Sequence, residues 1–290
     1  MSRKIAVVMF NLGGPDKAES ISPFLKNFFM DKNIIAAPFP VRFLVSRLIA
    51  YKRSRKEAGT SYGLLGGKSP LLENTLAQAE SLQKVLGEDF KIFVSMRYWH
   101  PMAAEVVKQV KAYQPDEIVL LPLYPQYSTT TTRSSLEDWQ KQAARQGLNP
   151  QPRVIGCYPF QDGFIAASAD LVKQAFDAFV AKHGTRPRVL FSAHGLPEKI
   201  IDQGDPYQWE CEQGAARIAA ATGIDQLDWM SCYQSRVGRL KWIGPSTDEA
   251  IQKAALDRVP ILIYPHAFVS EHVETLVEIE EEYRHLAHSI

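Results

Sequence analysis

The sequence has almost no surplus of charge of either sign: 33 lysines and arginines stand against 32 aspartates and glutamates in 290 residues. A chain so balanced generates no long-range field to gather a polyanion, so nucleic acid is not an expected partner. Cysteine is scarce as well. Cys157, Cys211 and Cys232 are odd in number, far apart and in no C-x-x-C pair. Neither a disulfide framework nor a four-thiolate metal site is expected, and the thiols read as those of a cytoplasmic protein. Long apolar runs are missing too. The most lipid-like stretch, Phe39 to Tyr51, is broken by Arg42 and Arg47, whereas a spanning helix needs about 18 or more uncharged apolar residues. The N-terminal run Ile5 to Phe10 gives way to Asn11-Leu12-Gly13-Gly14-Pro15, too short for the apolar region of an export signal.

What is there is an alternation. Short apolar, β-branched runs at Ile5–Phe10, Phe90–Met96, Ile118–Leu123, Val154–Tyr158, Val189–Ser192, Leu227–Met230 and Ile261–Tyr264 predict strands. Between them, Leu71–Leu86, Ala103–Tyr113, Phe164–Lys182, Trp209–Ala221 and Val273–Leu286 carry helical periodicity. Strands separated by helices in this way predict an α/β protein with parallel sheets flanked by helices. The order strand, loop, helix, strand, polar loop occurs twice, once over Phe90–Thr132 and once over Leu227–Thr275. The repeat predicts two similar domains, 1–160 and 161–290, with a cleft between them lined by loops from strand ends.

Two features carry chemistry. Ser192-Ala193-His194-Gly195-Leu196-Pro197 follows a predicted strand, which places His194 just past a strand end, beside a glycine that lets a ligand approach the backbone. A hydrogen-bonded structural histidine is the competing reading. The second is Ser270-Glu271-His272-Val273-Glu274, where Ser270 is the expected N-cap and Glu274, Glu278 and Glu282 fall at i, i+4 and i+8 on one helix face. A helix dipole accounts for acids in the first turn only, and like charges at this spacing repel by roughly 0.2–0.5 kcal/mol per pair. Such a stripe points to a cation.

Several segments together resemble the ferrochelatase family over nearly the whole chain: Asn11-Leu12-Gly13-Gly14-Pro15, Gly66-Gly67-Lys68-Ser69-Pro70, Arg97-Tyr98-Trp99-His100-Pro101, Ser192–Pro197 with Gly204-Asp205-Pro206-Tyr207, Tyr233–Gly238 with Trp242–Glu249, and Pro265–Leu276. The resemblance implies two Rossmann-like, chelatase-type domains and insertion of Fe²⁺ into protoporphyrin IX, the last step of haem synthesis. It implies His194 and Glu274 as the catalytic pair on opposite faces of the porphyrin, either of them receiving the metal last. Glu278 and Glu282 would extend the metal path, with Glu271 and His272 in support. Leu12 and Tyr98 are the expected porphyrin walls, and Arg97, Tyr127 and Ser128 are expected either to meet propionates and order the polar rim or to make structural hydrogen bonds. The chemistry suits these residue types, because a neutral imidazole accepts a pyrrole proton while carboxylates bind a hydrated divalent ion.

By the same resemblance Fe²⁺ is a substrate and no resident cofactor is required. Animal members carry a C-terminal cysteine-rich iron–sulfur segment that is missing here, and the three cysteines do not replace it. Other members also continue past the acidic helix with a strand and a final helix, an absence expected to bear on stability and domain alignment. Residues 41–56 interleave Phe43, Leu44, Leu48 and Ile49 with Arg42, Arg47, Lys52, Arg53, Arg55 and Lys56, the pattern of a basic interfacial helix. Transient contact with a membrane surface is expected there, in a cytoplasmic protein peripheral to the inner face of the membrane. The competing functions are a chelatase for coproporphyrin or another tetrapyrrole, a non-catalytic porphyrin or haem carrier, and a nucleotide-binding enzyme. A carrier needs neither a base nor an acidic metal route, and Asn11–Pro15 lacks the G-x-G-x-x-G spacing of a phosphate loop.

Overall fold

The computed structural model describes residues 3–290 except Val237 and Arg239, and describes Lys56 and Ala58 without their side chains. Val237, within the Tyr233–Gly238 motif, and the Lys56 side chain, at the end of the basic helix, therefore lie outside the described residues. Two compact units emerge. The first comprises 1–124, 129–156 and 270–273, and the second 125–128, 157–269 and 274–290.

In the first unit, β1 (Ile5–Asn11) is followed by α1 (Ile21–Phe29), α2 (Phe39–Gly59), a single turn α3 (Ser61–Leu64), α4 (Leu71–Leu86), β2 (Phe90–Met96), α5 (Ala103–Tyr113) and β3 (Glu117–Pro122). A π-helical turn at Thr129–Arg133, α6 (Ser134–Gln146) and the two-residue β4 (Arg153–Val154) complete it. The strands pair in parallel in the order β2-β1-β3-β4. Period-two alternation gives β1 two buried faces. Ala6, Val8 and Phe10 pack with Val106, Val107 and Val110 of α5 and Trp139 of α6, while Met9 packs with Ala79 of α4 and with Val94 and Met96 of β2. Burying each such side chain contributes about 1.5–3 kcal/mol, which is why a strand without polar alternation must be central. The Gly13–Gly14 loop after β1 is filled by protein. A Cβ on Gly14 would lie 2.5 Å from the Ser69 Cβ, and Gly13 at φ +83° lies under Trp99. These glycines serve packing and leave no cradle for a phosphate.

The second unit contains α7 (Asp162–His183), β5 (Arg188–His194), the short α8 (Glu198–Asp202), α9 (Tyr207–Ala221), β6 (Trp229–Gln234), α10 (Thr247–Leu256) and β7 (Ile261–Tyr264). A ten-residue π-helix, Glu274–Tyr283, and α11 (Arg284–Ser289) follow. The parallel order β6-β5-β7 repeats β2-β1-β3. Val189 and Phe191 face α7 and α9, and Leu190 faces α10 together with Ile279 and Tyr283 of the π-helix.

Four expectations are corrected. No single join lies at residue 160: Ile155 N–H bonds to the Leu120 carbonyl, keeping β4 on the first sheet, while Tyr158 N–H bonds to Pro125 O in the second unit. The strand expected over Val154–Tyr158 shrinks to an edge pairing of two residues. β6 runs four residues beyond Met230 because its polar end, Ser231 to Gln234, continues the ladder with β5. Finally, the acidic helix starts at Glu274 and is π rather than α, so Ser270 lies outside it and is not its cap.

Candidate functional site

β5 delivers His194 as its last residue, paired with Gln234 at the end of β6. Gly195 follows for a reason different from ligand access. Its N–H bonds to the Gln234 carbonyl at 2.8 Å, and a Cβ there would stand 2.9 Å from that oxygen and 3.1 Å from Arg236 Cγ. The close approach of the two strand ends requires glycine. The first residue of the π-helix, Glu274, then meets the histidine: Nδ1 of His194 lies 2.8 Å from Glu274 Oε2, so the two are hydrogen-bonded neighbours and not a pair opposed across a porphyrin, as the resemblance implied. Their side chains are 37% and 28% exposed, so the pair is reachable from solvent. A carboxylate accepts only, so in the neutral ring Nδ1 carries the hydrogen and the basic lone pair is on Nε2.

Glu278 stands one step along the helix, half-buried, with its carboxylate occupied. Ser235 N–H donates to Oε1 at 2.7 Å, Tyr283 OH to Oε1 at 3.0 Å, Gln234 Nε2 to Oε2 at 3.1 Å, and the Ser235 hydroxyl to Oε2. Ser235 sits at φ +62°, an uncommon conformation for a residue with a Cβ. The two bonds from Glu278 hold it there. Burial, and next the neighbouring Glu274 charge, push the Glu278 carboxyl above its ordinary range. Glu278 is thus a hydrogen-bond acceptor built into the scaffold, not a carboxylate held open for metal. Glu282 is exposed further along the helix. Among the described residues no three His, Cys, Asp or Glu side chains converge as a ready metal site.

The remaining expected residues fall in two places. Arg97 in the first unit donates to Ser134 Oγ at 2.7 Å and to Asp31 Oδ2 at 2.9 Å, and approaches Asp138 at 3.6 Å. Tyr98 is wholly buried, its hydroxyl donating to Asp31 Oδ2 at 2.8 Å. Burial, then the Asp31 charge, raise that phenol well above its usual value. In this conformation Tyr98 is a core residue and not a pocket wall. Leu12 is half-buried, packed on the cluster that contains Tyr98, whose N–H bonds to the Leu12 carbonyl. Glu271 and His272 also belong to the first unit, where Asn74 Nδ2 donates to Glu271 O at 2.9 Å. Tyr127 and Ser128 belong to the second: Tyr127 N–H donates to Glu210, and the buried Ser128 hydroxyl donates to Asp205 at 3.1 Å. The Ser128 bond to Asp205 is of the structural kind, one of the two parts expected for it.

Sequence reasoning passed over Asp31, Ser192 and Gln234. The last two lie inside quoted motifs, Ser192–Pro197 and Tyr233–Gly238, but an amide and a hydroxyl give no signal of function until their partners are seen.

Each unit is thus an α/β layer built on a parallel sheet, and the second presents a histidine–carboxylate pair at a strand end. The fold is similar to that of SirB from Bacillus subtilis with Fe³⁺, with a TM-score of 0.52, 14% identity, and coverage of 98% of this chain and 83% of that one. The ferrochelatase family model matches residues 4–290. Ferrochelatase from Caulobacter vibrioides is 49% identical, with 100% of this chain and 83% of that protein covered. Ferrochelatase of a Wolbachia from Drosophila simulans is 48% identical over 97% of this chain and 90% of its own length. The chain belongs to the ferrochelatase family, and its activity is insertion of Fe²⁺ into a porphyrin.

Proposed function

We propose that His194 and Glu274 carry this reaction, with protoporphyrin IX as the porphyrin. For each Fe²⁺ that enters, two pyrrole N–H protons must leave. The observation that carries the assignment is the 2.8 Å contact between His194 Nδ1 and Glu274 Oε2. It directs the imidazole lone pair to Nε2, which accepts the two pyrrole protons in turn and passes each to solvent through the exposed ring, while the adjacent carboxylate stabilises the imidazolium formed each time. Glu274 also serves Fe²⁺ as an oxygen ligand, so metal arrival and proton acceptance draw on the same carboxylate. Glu282, exposed, is the outer acid of the metal route, and Glu278 supports the helix between them.

Leu12 and Arg97 are the residues we assign to the macrocycle and to a propionate. This reading includes no resident cofactor, since the reaction needs only Fe²⁺ and the porphyrin, both of them substrates. No helix among the described residues is long and apolar enough to cross a membrane. We place the protein in the cytoplasm, in peripheral contact with the inner face of the membrane through α2, which exposes Val41, Leu44, Leu48 and Tyr51 among Arg47, Lys52, Arg53 and Arg55.

Anaerobic mixing with Fe²⁺ and either protoporphyrin IX or coproporphyrin III, followed by absorption spectra, tests the substrate. Faster metallation of protoporphyrin IX is expected. Preferential metallation of coproporphyrin III would overturn that choice, and binding of either without metallation would favour the carrier.

A further inference from the structure

Gln234 is 1% exposed and its side-chain amide is fully committed. Its Oε1 accepts from the Ser192 hydroxyl at 2.8 Å, while Nε2 donates to the Glu274 backbone carbonyl and to Glu278 Oε2, both at 3.1 Å. Ser192 is itself held, its oxygen lying 3.0 Å from Thr247 Oγ1. These partners fix which end of the amide is nitrogen, since the flipped form would set its oxygen against a carbonyl and a carboxylate. The geometry gives each bond a consequence. Ser192 and His194 alternate onto one face of β5, so the amide is anchored beside the histidine. Its nitrogen then grips the main chain of the first residue of the π-helix, the residue whose carboxylate meets His194 Nδ1 at 2.8 Å.

The choice of amide matters electrically. Two carboxylates, Glu274 and Glu278, already stand here, and a third acid would raise repulsion while a lysine or arginine would repel the incoming divalent ion. A neutral donor restrains Glu274 without altering the charge presented to Fe²⁺. Leucine would fill nearly the same volume but leave the Glu274 carbonyl and the Ser192 hydroxyl without their partner.

We infer that Gln234 is a positioning residue of the reaction, one that holds the Glu274 main chain so that its carboxylate selects the Nδ1–H form of His194. It deepens the His194–Glu274 reading and rests on it, but its test is separable. In the substrate-free full-length protein, ring ¹⁵N shifts report the tautomer of each histidine, and the His194 signals are identified by their loss in His194→Ala.

The expected result is a single Nδ1–H form in wild type and a mixture of tautomers in Gln234→Leu. Steady-state kinetics should show kcat lower by about tenfold to a hundredfold, the scale of a misplaced catalytic group, with the KM for porphyrin nearly unchanged. Ser192→Ala removes only the outer anchor of the amide and should shift the tautomer less. It serves as the test if Gln234→Leu fails to fold. A His194 that keeps its Nδ1–H form in the folded variant, or a rise in porphyrin KM at unchanged kcat, overturns the inference. Failure of the pair itself reads out elsewhere, as near-normal turnover in His194→Ala.

Discussion

Among single residues, His266 shows how a buried polar group leaves a mark on stability. It is 1% exposed, its ring packs edge-on against Phe191, and its Nε2–H donates to the Cys211 carbonyl at 3.1 Å. Burial pushes its pKa down to about 4, so the folded protein excludes a proton that the unfolded chain binds near pH 6.5. The stability this residue contributes is complete above about pH 6.5 and is lost as pH falls towards 4, roughly 3 kcal/mol over the whole interval. Urea unfolding of wild type and His266→Leu at pH 7 and pH 4.5 measures it: the loss on acidification should be smaller in the variant by that order. Equal losses would remove His266 from the account. Of the proposed catalytic pair, both members were candidates in the sequence, His194 from the strand-end His-Gly and Glu274 as one acid of the stripe, with the pairing of the two implied by the family resemblance. Gln234 and Ser192, beside the pair, and Ser235, which bonds Glu278, were not, since their value lies in partners distant in the chain.

For secondary-structure elements, the π-helix is the informative departure. Hydrophobic positions such as Val277, Ile279 and Tyr283 announce a helix packed on a sheet, and α and π forms share that pattern over so short a span. Periodicity therefore located the element without its winding. The uniform acidic stripe separates into unequal members: Glu274 on the histidine, Glu278 accepting from Ser235, Gln234 and Tyr283, and Glu282 exposed. Glu278→Gln should destabilise the fold by about 1–3 kcal/mol, because an amide NH₂ would face donors that now have an acceptor. Glu282→Gln should leave stability within about 0.5 kcal/mol and raise the apparent KM for Fe²⁺ alone. Denaturant unfolding together with kinetics varying each substrate decides this, and equal stability of the two variants would contradict the division of roles. The strands were legible where apolar residues run through them, as in β1 and β7. They were misjudged where the ladder continues through polar residues, as in β6.

For the molecule as a whole, near-neutral charge conceals a local asymmetry. α2 presents Val41, Leu44, Leu48 and Tyr51 beside arginines and a lysine, with Arg47 lying 3.3 Å over the Phe43 ring. Replacing Leu44 and Leu48 by aspartate should weaken sedimentation with anionic vesicles by at least about tenfold, through lost apolar insertion and added negative charge. Unchanged binding by the variant, or no binding by wild type, would remove α2 as the proposed membrane contact. The two-domain α/β class was legible because alternating strands and helices admit few arrangements. The passage of 125–128 into the second unit and of 270–273 into the first was not, because it depends on hydrogen bonds such as Tyr127 N–H to Glu210 and Asn74 to Glu271.

Fe²⁺ insertion through His194 and Glu274, as proposed, is tested by anaerobic single-turnover metallation of protoporphyrin IX by wild type and His194→Ala at saturating porphyrin. The account predicts that the folded variant binds porphyrin with near wild-type affinity and metallates it more slowly by about 10²–10⁴-fold, the usual worth of a positioned general base. A folded His194→Ala protein that forms haem at the wild-type rate would contradict it.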